Sequence, residues 1–210
     1  MLFAHKNCKY HDMEAISDIE NKINLLNSTN AADSALVWCG IFYLNIGRAV
    51  EAEAYLQRAC ELNPKNIIAR NGLGWAHLDA DEGLQSFEGA LALSPNDLSA
   101  NFGRVLCYRQ KNQNAKALEA INHLIAYNQG FVPAYVERLY ILLALASWEP
   151  LLEAAKKILI LSPENIDALF LSLLYDMCRQ PFDAIAVSKR IELLTTVSKV
   201  HAGRIQARAV

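Results

Sequence analysis

Asp33–Pro64, DSALVWCGIFYLNIGRAVEAEAYLQRACELNP, is the stretch that decides the fold. It holds two amphipathic helical patterns joined by a short turn. Gly40 and Ala52 are small where the two helices must cross, so the backbones can approach closely. Leu36, Tyr43 and Leu56 fill the space around that crossing, and Cys39 and Ala59 complete the apolar register. Gly47 can end the first helix with a positive φ that other residues resist. Pro64, which lacks an N–H, stops the second helix after Leu62. A lone hairpin of this kind cannot bury its apolar face, so neighbours must stack on it.

The same eight residues (Leu36, Cys39, Gly40, Tyr43, Ala52, Leu56, Ala59, Pro64) fall where a tetratricopeptide repeat places its signature apolar, small and proline positions, and the stretch resembles that repeat. Further units follow. Residues 66–95 carry Ala69, Leu73, Gly74 and His77, then Phe87, Ala90 and Leu93, ending at Pro95. Pro64 to Pro95 spans 31 residues, three short of the repeat, and the loss is expected in the turn from Asp79 to Gly83. Residues 98–129 end on Gln129-Gly130 instead of proline, with Gly103 two positions early. Residues 132–163 open on Pro133, suited to a first helical turn, and Trp148 is expected to plug the inter-helix turn. Residues 166–194 form a last unit with Pro181 in its turn. Residues 1–27 read as a partial repeat with Ile16, Ile19, Ile23 and Leu26 at helical spacing, and residues 195–210 as a basic tail or capping helix. The expected fold is all-α, a right-handed tetratricopeptide-repeat superhelix (α-solenoid) of about five helix-turn-helix hairpins.

Composition narrows the function classes. With 53% hydrophobic residues the 210-residue chain can bury a substantial core. Twenty Lys and Arg against 22 Asp and Glu give a net charge of −2, so no strong field draws nucleic acid or an anionic membrane. The expected partners are proteins. Cys8, Cys39, Cys60, Cys107 and Cys178 are widely spaced, form no C-x-x-C pair, and read as thiols in a reducing compartment. His5 and Lys6 interrupt any signal-peptide apolar region, and the apolar run Leu139–Ala146 is too short to span a bilayer. A soluble, cytoplasmic protein without direct membrane insertion is expected. Asn27-Ser28-Thr29 then reads as a polar linker instead of a glycosylation acceptor.

The order of particular words carries a narrower likeness. ALVWCGIFYLNIGRAVEAEAYLQRA, FGRVLCYRQKNQNAKALEAINHLIAYNQGFVPAYVERL and LALASWEPLLEAAKKILILSPENIDALFLSLLYDMCR resemble the N-terminal part of the large tetratricopeptide-repeat subunit of intraflagellar transport complex A. The short second repeat and the proline-less third one belong to that likeness, which covers roughly residues 1–190; the tail TTVSKVHAGRIQARAV does not match. The resemblance implies a structural subunit of the particle for retrograde transport in the cilium and at its base, with other particle subunits as partners and no catalysis.

Motifs for chemistry are weak. His5, Cys8 and His11 sit at i, i+3 and i+6, but no fourth ligand accompanies them and no metal is expected. Gly72-x-Gly74 follows no strand and lacks a third glycine, so it is not a nucleotide loop. Asp79, Asp81, Glu82 and Gly83 lack the bidentate Glu of a calcium loop, since Ala90 stands there. No catalytic residue, metal ligand or cofactor is assigned, and His77 reads as a core histidine.

The remaining candidate is a concave, partner-binding face made by the first helices of the hairpins. Val37, Ile41, Asn71, Trp75, Val136, Tyr140, Phe170 and Leu174 fall on it, an apolar groove suited to a helical peptide or a neighbouring hairpin. A rival reading is a peptide-binding co-chaperone or adaptor gripping a C-terminal carboxylate. It needs cations and amides on the inner face, where only Arg70 and Asn71 are of that kind. The uncovered first unit leaves Leu2, Ile16 and Ile23 as candidates for self-association through the repeat ends.

Overall fold

The computed structural model describes residues 32–78, 81–178 and 184–207. The partial repeat 1–27, the His5, Cys8 and His11 set, Leu2, the linker, Asp79 and Pro181 lie outside them. All described elements are helices: α1 (Ala32–Asn45), α2 (Ala49–Leu62), α3 (Ile67–Ala76), α4 (Asp81–Leu93), α5 (Leu98–Gln110), α6 (Asn114–Tyr127), α7 (Val132–Ala144), α8 (Trp148–Leu161), α9 (Ile166–Cys178) and α10 (Ala184–Ala207). They fall into two compact units, Met1–Asn112 and Gln113–Val210. In the first, α1 to α5 pack each on the next, with α1 also on α3 and α3 on α5; in the second, α6 to α10 do the same, with α7 also on α9. This is the pairing of stacked antiparallel hairpins whose first helices form an inner row.

The turn from one hairpin to the next recurs with the same hydrogen bonds. Asn63, Ser94, Asn128 and Ser162 donate their N–H groups to the carbonyls of Ala59, Ala90, Leu124 and Ile158 at 2.7–3.0 Å. Three residues later Asn66, Asp97, Phe131 and Asn165 donate back to the carbonyls of those four residues at 3.0–3.1 Å. The four turns stand 31, 34 and 34 residues apart. Gln129 occupies the place of Pro64, Pro95 and Pro163, so the backbone pattern survives without proline. Asn66, Asp97 and Asn165 also cap the following helix, accepting from the N–H of Ala69, Ala100 and Ala168. Phe131 has no such side-chain acceptor; Pro133 in the first turn removes a donor that would need one.

Three of the turns within hairpins close through a left-handed residue. Gly47 has φ 79°, as its sequence position predicts, and the N–H of Arg48 reaches the carbonyl of Tyr43 at 2.9 Å. Ala146 takes the same place with φ 51°, and Ser147 N–H reaches Leu142 O at 2.9 Å. Asn112, the third case, has φ 55°. In the short second hairpin α3 has 10 residues against 14 in α1 and ends at Ala76. The end of α3 is thereby drawn onto α4, where a Cβ on Gly83 would collide with the carbonyl oxygen of His77.

Packing in the first unit centres on two buried side chains held between glycines. Leu56 fills the space over Gly40 of its own hairpin and over Gly72 of the next, where an added Cβ would stand 2.7 Å from Leu56 Cδ2. Phe87 repeats this one unit on. Its ring lies over Gly74, 2.6 Å from where a Cβ would be, and closer still over Gly103 of α5. Gly103 is therefore no misplaced hairpin glycine; it is the counterpart of Gly72 and receives the preceding helix. Each of these glycines weakens its helix by roughly 1 kcal/mol relative to alanine, a cost offset by complete burial of the side chain it admits. In the second unit the sizes are exchanged: Leu139 stands at the register of Gly40 and Ala155 at that of Leu56, both buried in one cluster with Leu142, Leu151 and Ile158.

Two expectations are corrected. Trp148 does not plug its turn; it begins α8 about half exposed, and Leu151 three residues on carries the buried contact. The boundary at Leu194 is not a helix end. α10 runs on to Ala207, with the hydroxyls of Thr195 and Thr196 donating to the carbonyls of Ile191 and Glu192 at 2.8 and 2.9 Å. Val187 and Val197 are buried, and Arg190 pairs with Asp176 of α9.

Gly103→Ala is expected to destabilise the chain by about 1–3 kcal/mol in chemical denaturation, and Phe87→Leu in the same chain to recover part of that loss. Ala146→Gly is expected to raise stability by about 0.5–1 kcal/mol, because glycine accepts the left-handed conformation without steric cost. The side-chain amides of Asn63 and Asn66 donate to Asp33 Oδ2 at 2.8 and 3.1 Å and hold its carboxyl below the ordinary 3.8. A depressed carboxyl stabilises the fold above its unfolded value and ceases to do so as pH falls through the folded one. The stability difference between the native chain and Asp33→Asn should thus shrink from pH 5 downward in denaturation curves.

Candidate functional site

The eight inner-face residues fall into two sets, one per unit. In the first, Val37 is 3% exposed and packs with Leu36, Ala59 and Ala69, while Ile41 is half-buried against the same cluster. Asn71 is buried on α3, and its amide donates to Asp97 Oδ1 at 2.8 Å. That carboxylate also caps α5. Among the described residues the Oδ1 of Asn71 has no hydrogen-bond partner. Trp75, one turn further along α3, donates its indole N–H to Ser99 Oγ at 2.9 Å. Its ring meets Phe87 edge-on at 5.3 Å and lies 6.5 Å from Phe102. The two α3 residues are thus fastened to the next hairpin, and the open surface of this set is small.

The second set is more exposed. Val136 of α7 and Leu174 of α9 are half-buried against the cluster of Tyr135, Leu139 and Leu171. Tyr140 is 38% exposed and Phe170 51%. The hydroxyl of Tyr140 donates to Asp167 Oδ1 at 2.8 Å, one turn before Phe170 on the same helix. That bond restrains the Tyr140 ring, which stays partly open to solvent with little rotamer freedom to lose, and Phe170 adds a second exposed aromatic surface.

A row of polar contacts between successive first helices escaped the reading of the sequence. Asp33 with Asn66, Asn71 with Asp97, Trp75 with Ser99 and Tyr140 with Asp167 each join an inner helix to the start of the next. The signal was present as Pro64-x-Asn66, Pro95-x-Asp97 and Pro163-x-Asn165, a helix stop followed two residues later by a cap. Arg70 is likewise engaged, its guanidinium donating twice to the carbonyl of Pro64 at 3.0 and 2.8 Å.

Reactive chemistry has little footing on these surfaces. Burial pushes the thiols of Cys60 and Cys107 up, and Cys107 Sγ lies 3.4 Å from the carbonyl of Leu78. His77 Nε2 sits 3.2 Å from Glu53 Oε1 of the preceding hairpin. Among the described residues no three His, Cys, Asp or Glu side chains converge as metal ligands, and no helix is long and apolar enough to cross a membrane. What the surfaces offer is recognition by shape, aromatic faces and a few fixed hydrogen-bonding groups.

Comparison with known proteins places the chain. Residues 1–152 match a family model described as the tetratricopeptide repeat protein 21 N-terminal ARM repeat. Tetratricopeptide repeat protein 21B of Homo sapiens is 29% identical over 188 residues, 86% of this chain and 14% of its own. The Xenopus laevis 21B protein is 27% identical over 206 residues, and human 21A 26% over 186. The chain thus spans about one-seventh of the length of the curated relatives it matches. Among solved structures, MamA from Desulfovibrio magneticus RS-1 (residues 41 to the end) has TM-score 0.67 and 18% identity, covering 81% of this chain and 96% of that one. YrrB, described as a tetratricopeptide-repeat protein with an unusual peptide-binding site, has TM-score 0.65 and 14% identity over 91% and 98%. Those likenesses show the fold, an all-α tetratricopeptide-repeat solenoid. The family match and the repeat register together show that the chain belongs to the tetratricopeptide repeat protein 21 family.

Proposed function

We propose that the chain is a non-enzymatic protein-interaction scaffold, a structural part of the intraflagellar transport A particle acting in retrograde ciliary transport. Its setting is the cytoplasm, the cilium and the ciliary base, and its partners are other subunits of the particle or helical segments of them. The hairpins 33–64, 66–95, 98–129, 132–163 and 166–194 are the repeat units of the scaffold in this reading. The family supports the assembly; the exposed, hydrogen-bond-fixed Tyr140 beside Phe170 supports the mode of contact. An amphipathic helix or a neighbouring hairpin would lay apolar side chains on those two faces, with Val136 and Leu174 as the floor. Val37, Ile41, Asn71 and Trp75 serve mainly to hold the inner helices of the first unit in line. A carboxylate-gripping co-chaperone fits less well, because the guanidinium of Arg70 is taken by Pro64 and the amide of Asn71 by Asp97.

Tyr140→Ala with Phe170→Ala should lower the melting temperature modestly, through loss of the Tyr140–Asp167 bond, and leave the chain folded. The double variant should cut recovery of the particle's subunits from ciliated cells about tenfold or more. Unchanged recovery from a normally folded variant would sink the assignment of the inner face of α7 and α9. Titration with an acidic C-terminal peptide separates the rival: micromolar binding abolished by Asn71→Ala would replace the scaffold reading with the co-chaperone one.

A further inference from the structure

We propose that the first unit carries a socket for the ammonium group of a lysine on a partner protein, framed by Asn71 and Trp75 of α3 and by Asp97 and Ser99 at the start of α5. Two hydrogen bonds build the frame. The Asn71 amide donates to Asp97 Oδ1 at 2.8 Å and the Trp75 indole N–H to Ser99 Oγ at 2.9 Å, so four side chains from two neighbouring inner helices hold fixed places. One polar group of the frame is left over. Asn71 is 6% exposed, its amide nitrogen is taken by Asp97, and its Oδ1 has no hydrogen-bond partner among the described residues. A carbonyl oxygen closed to water and without a donor is unfavourable, and a ligand that brings an N–H to it restores the missing bond.

The charge beside that oxygen selects the donor. Asp97 accepts from the Asn71 amide and from the N–H of Ala100, both neutral, so among the described residues its carboxylate has no cation. Arg70 and Arg104 are engaged elsewhere, on the carbonyl of Pro64 and on Asn101 Oδ1. An open acceptor and a carboxylate without a counter-ion, joined through one amide, favour a charged donor over a neutral one. Trp75 adds an aromatic wall, which attracts the same kind of group. The acceptors meet at one point, where a compact ammonium fits and the planar fork of a guanidinium does not. Entry needs little rearrangement: Ile68, three residues before Asn71 on α3, is 58% exposed and can turn aside with little loss of packing. The polarity is the reverse of a carboxylate grip, in which the inner face donates and the ligand accepts.

The test uses the full chain, isotope-labelled for NMR, and Nα-acetyl-lysine methylamide as the probe. The Asn71 side-chain amide and the Trp75 indole N–H should shift saturably, with a dissociation constant of roughly millimolar order for this single side chain. The Nε-acetyl derivative, which has lost the charge, should bind about tenfold more weakly, and the arginine counterpart about threefold more weakly. Asn71→Leu should abolish the response at Trp75. Asp97→Asn should weaken the probe about tenfold; asparagine is already the cap at Asn66 and Asn165, so this variant keeps the fold even where Asn71→Leu does not. No saturable shift up to about 100 mM probe, equal binding of the Nε-acetyl or arginine probe, or binding unchanged in Asp97→Asn overturns the proposal. Tighter binding of Nα-acetyl-glutamate methylamide at the same resonances overturns it as well. Tyr140 and Phe170 lie in the other unit, so these outcomes are separable from the assignment of α7 and α9.

Discussion

The phenyl ring of Phe87, closed between Gly74 and Gly103, is the contact on which the first unit depends. It lies on the second helix of one hairpin and is received by the first helices of two, so a single side chain sets both the crossing within a hairpin and the stacking of the next. Nothing larger than a hydrogen fits at either glycine without moving the ring. Trp75 rests edge-on against the same ring, which ties the inner face to this point as well. A contact shared by three helices makes the unit cooperative: loosening one hairpin loosens its neighbour.

Backbone hydrogen bonds hold the period where side chains change. The turn at Asn128 repeats the bonds of those at Asn63, Ser94 and Ser162 although it contains no proline, and it trades a side-chain cap for Pro133. Proline in the other three turns therefore selects against helical continuation more than it shapes the turn. Polar pairs work alongside within each unit, fixing where α3 begins relative to α1, α5 relative to α3 and α9 relative to α7. That is what keeps Tyr140 and Phe170 in a defined relation, and recognition by a rigid aromatic surface requires it.

Much of this was legible in the residues. The register of Leu36, Gly40, Tyr43, Ala52 and Leu56 and the left-handed Gly47 follow from spacing and from the steric limits of particular residue types, while the family likeness rests on the resemblance of whole stretches of sequence. What escaped had a common cause: periodicity reports which side of a helix is apolar, not which neighbour it meets. Gly103 looked displaced because it serves the hairpin before it. That α3 is shorter than α1 also escaped, since a sequence gap has no fixed place along a helix. The inner-face set is mixed in character, because Asn71 and Trp75 also have hydrogen-bond partners a repeat away.

The exchange of sizes between Gly40 with Leu56 and Leu139 with Ala155 has a consequence for how such hairpins can be recombined. At the same register the third hairpin carries Val105 with Ile121, both buried, so the pair is not held to one total volume along the chain. Each crossing is close-packed for its own pair of residues. A recombined protein that joined the first helix of one hairpin to the second helix of the other would set Leu139 against Leu56 or Gly40 against Ala155, and would inherit a clash or a void.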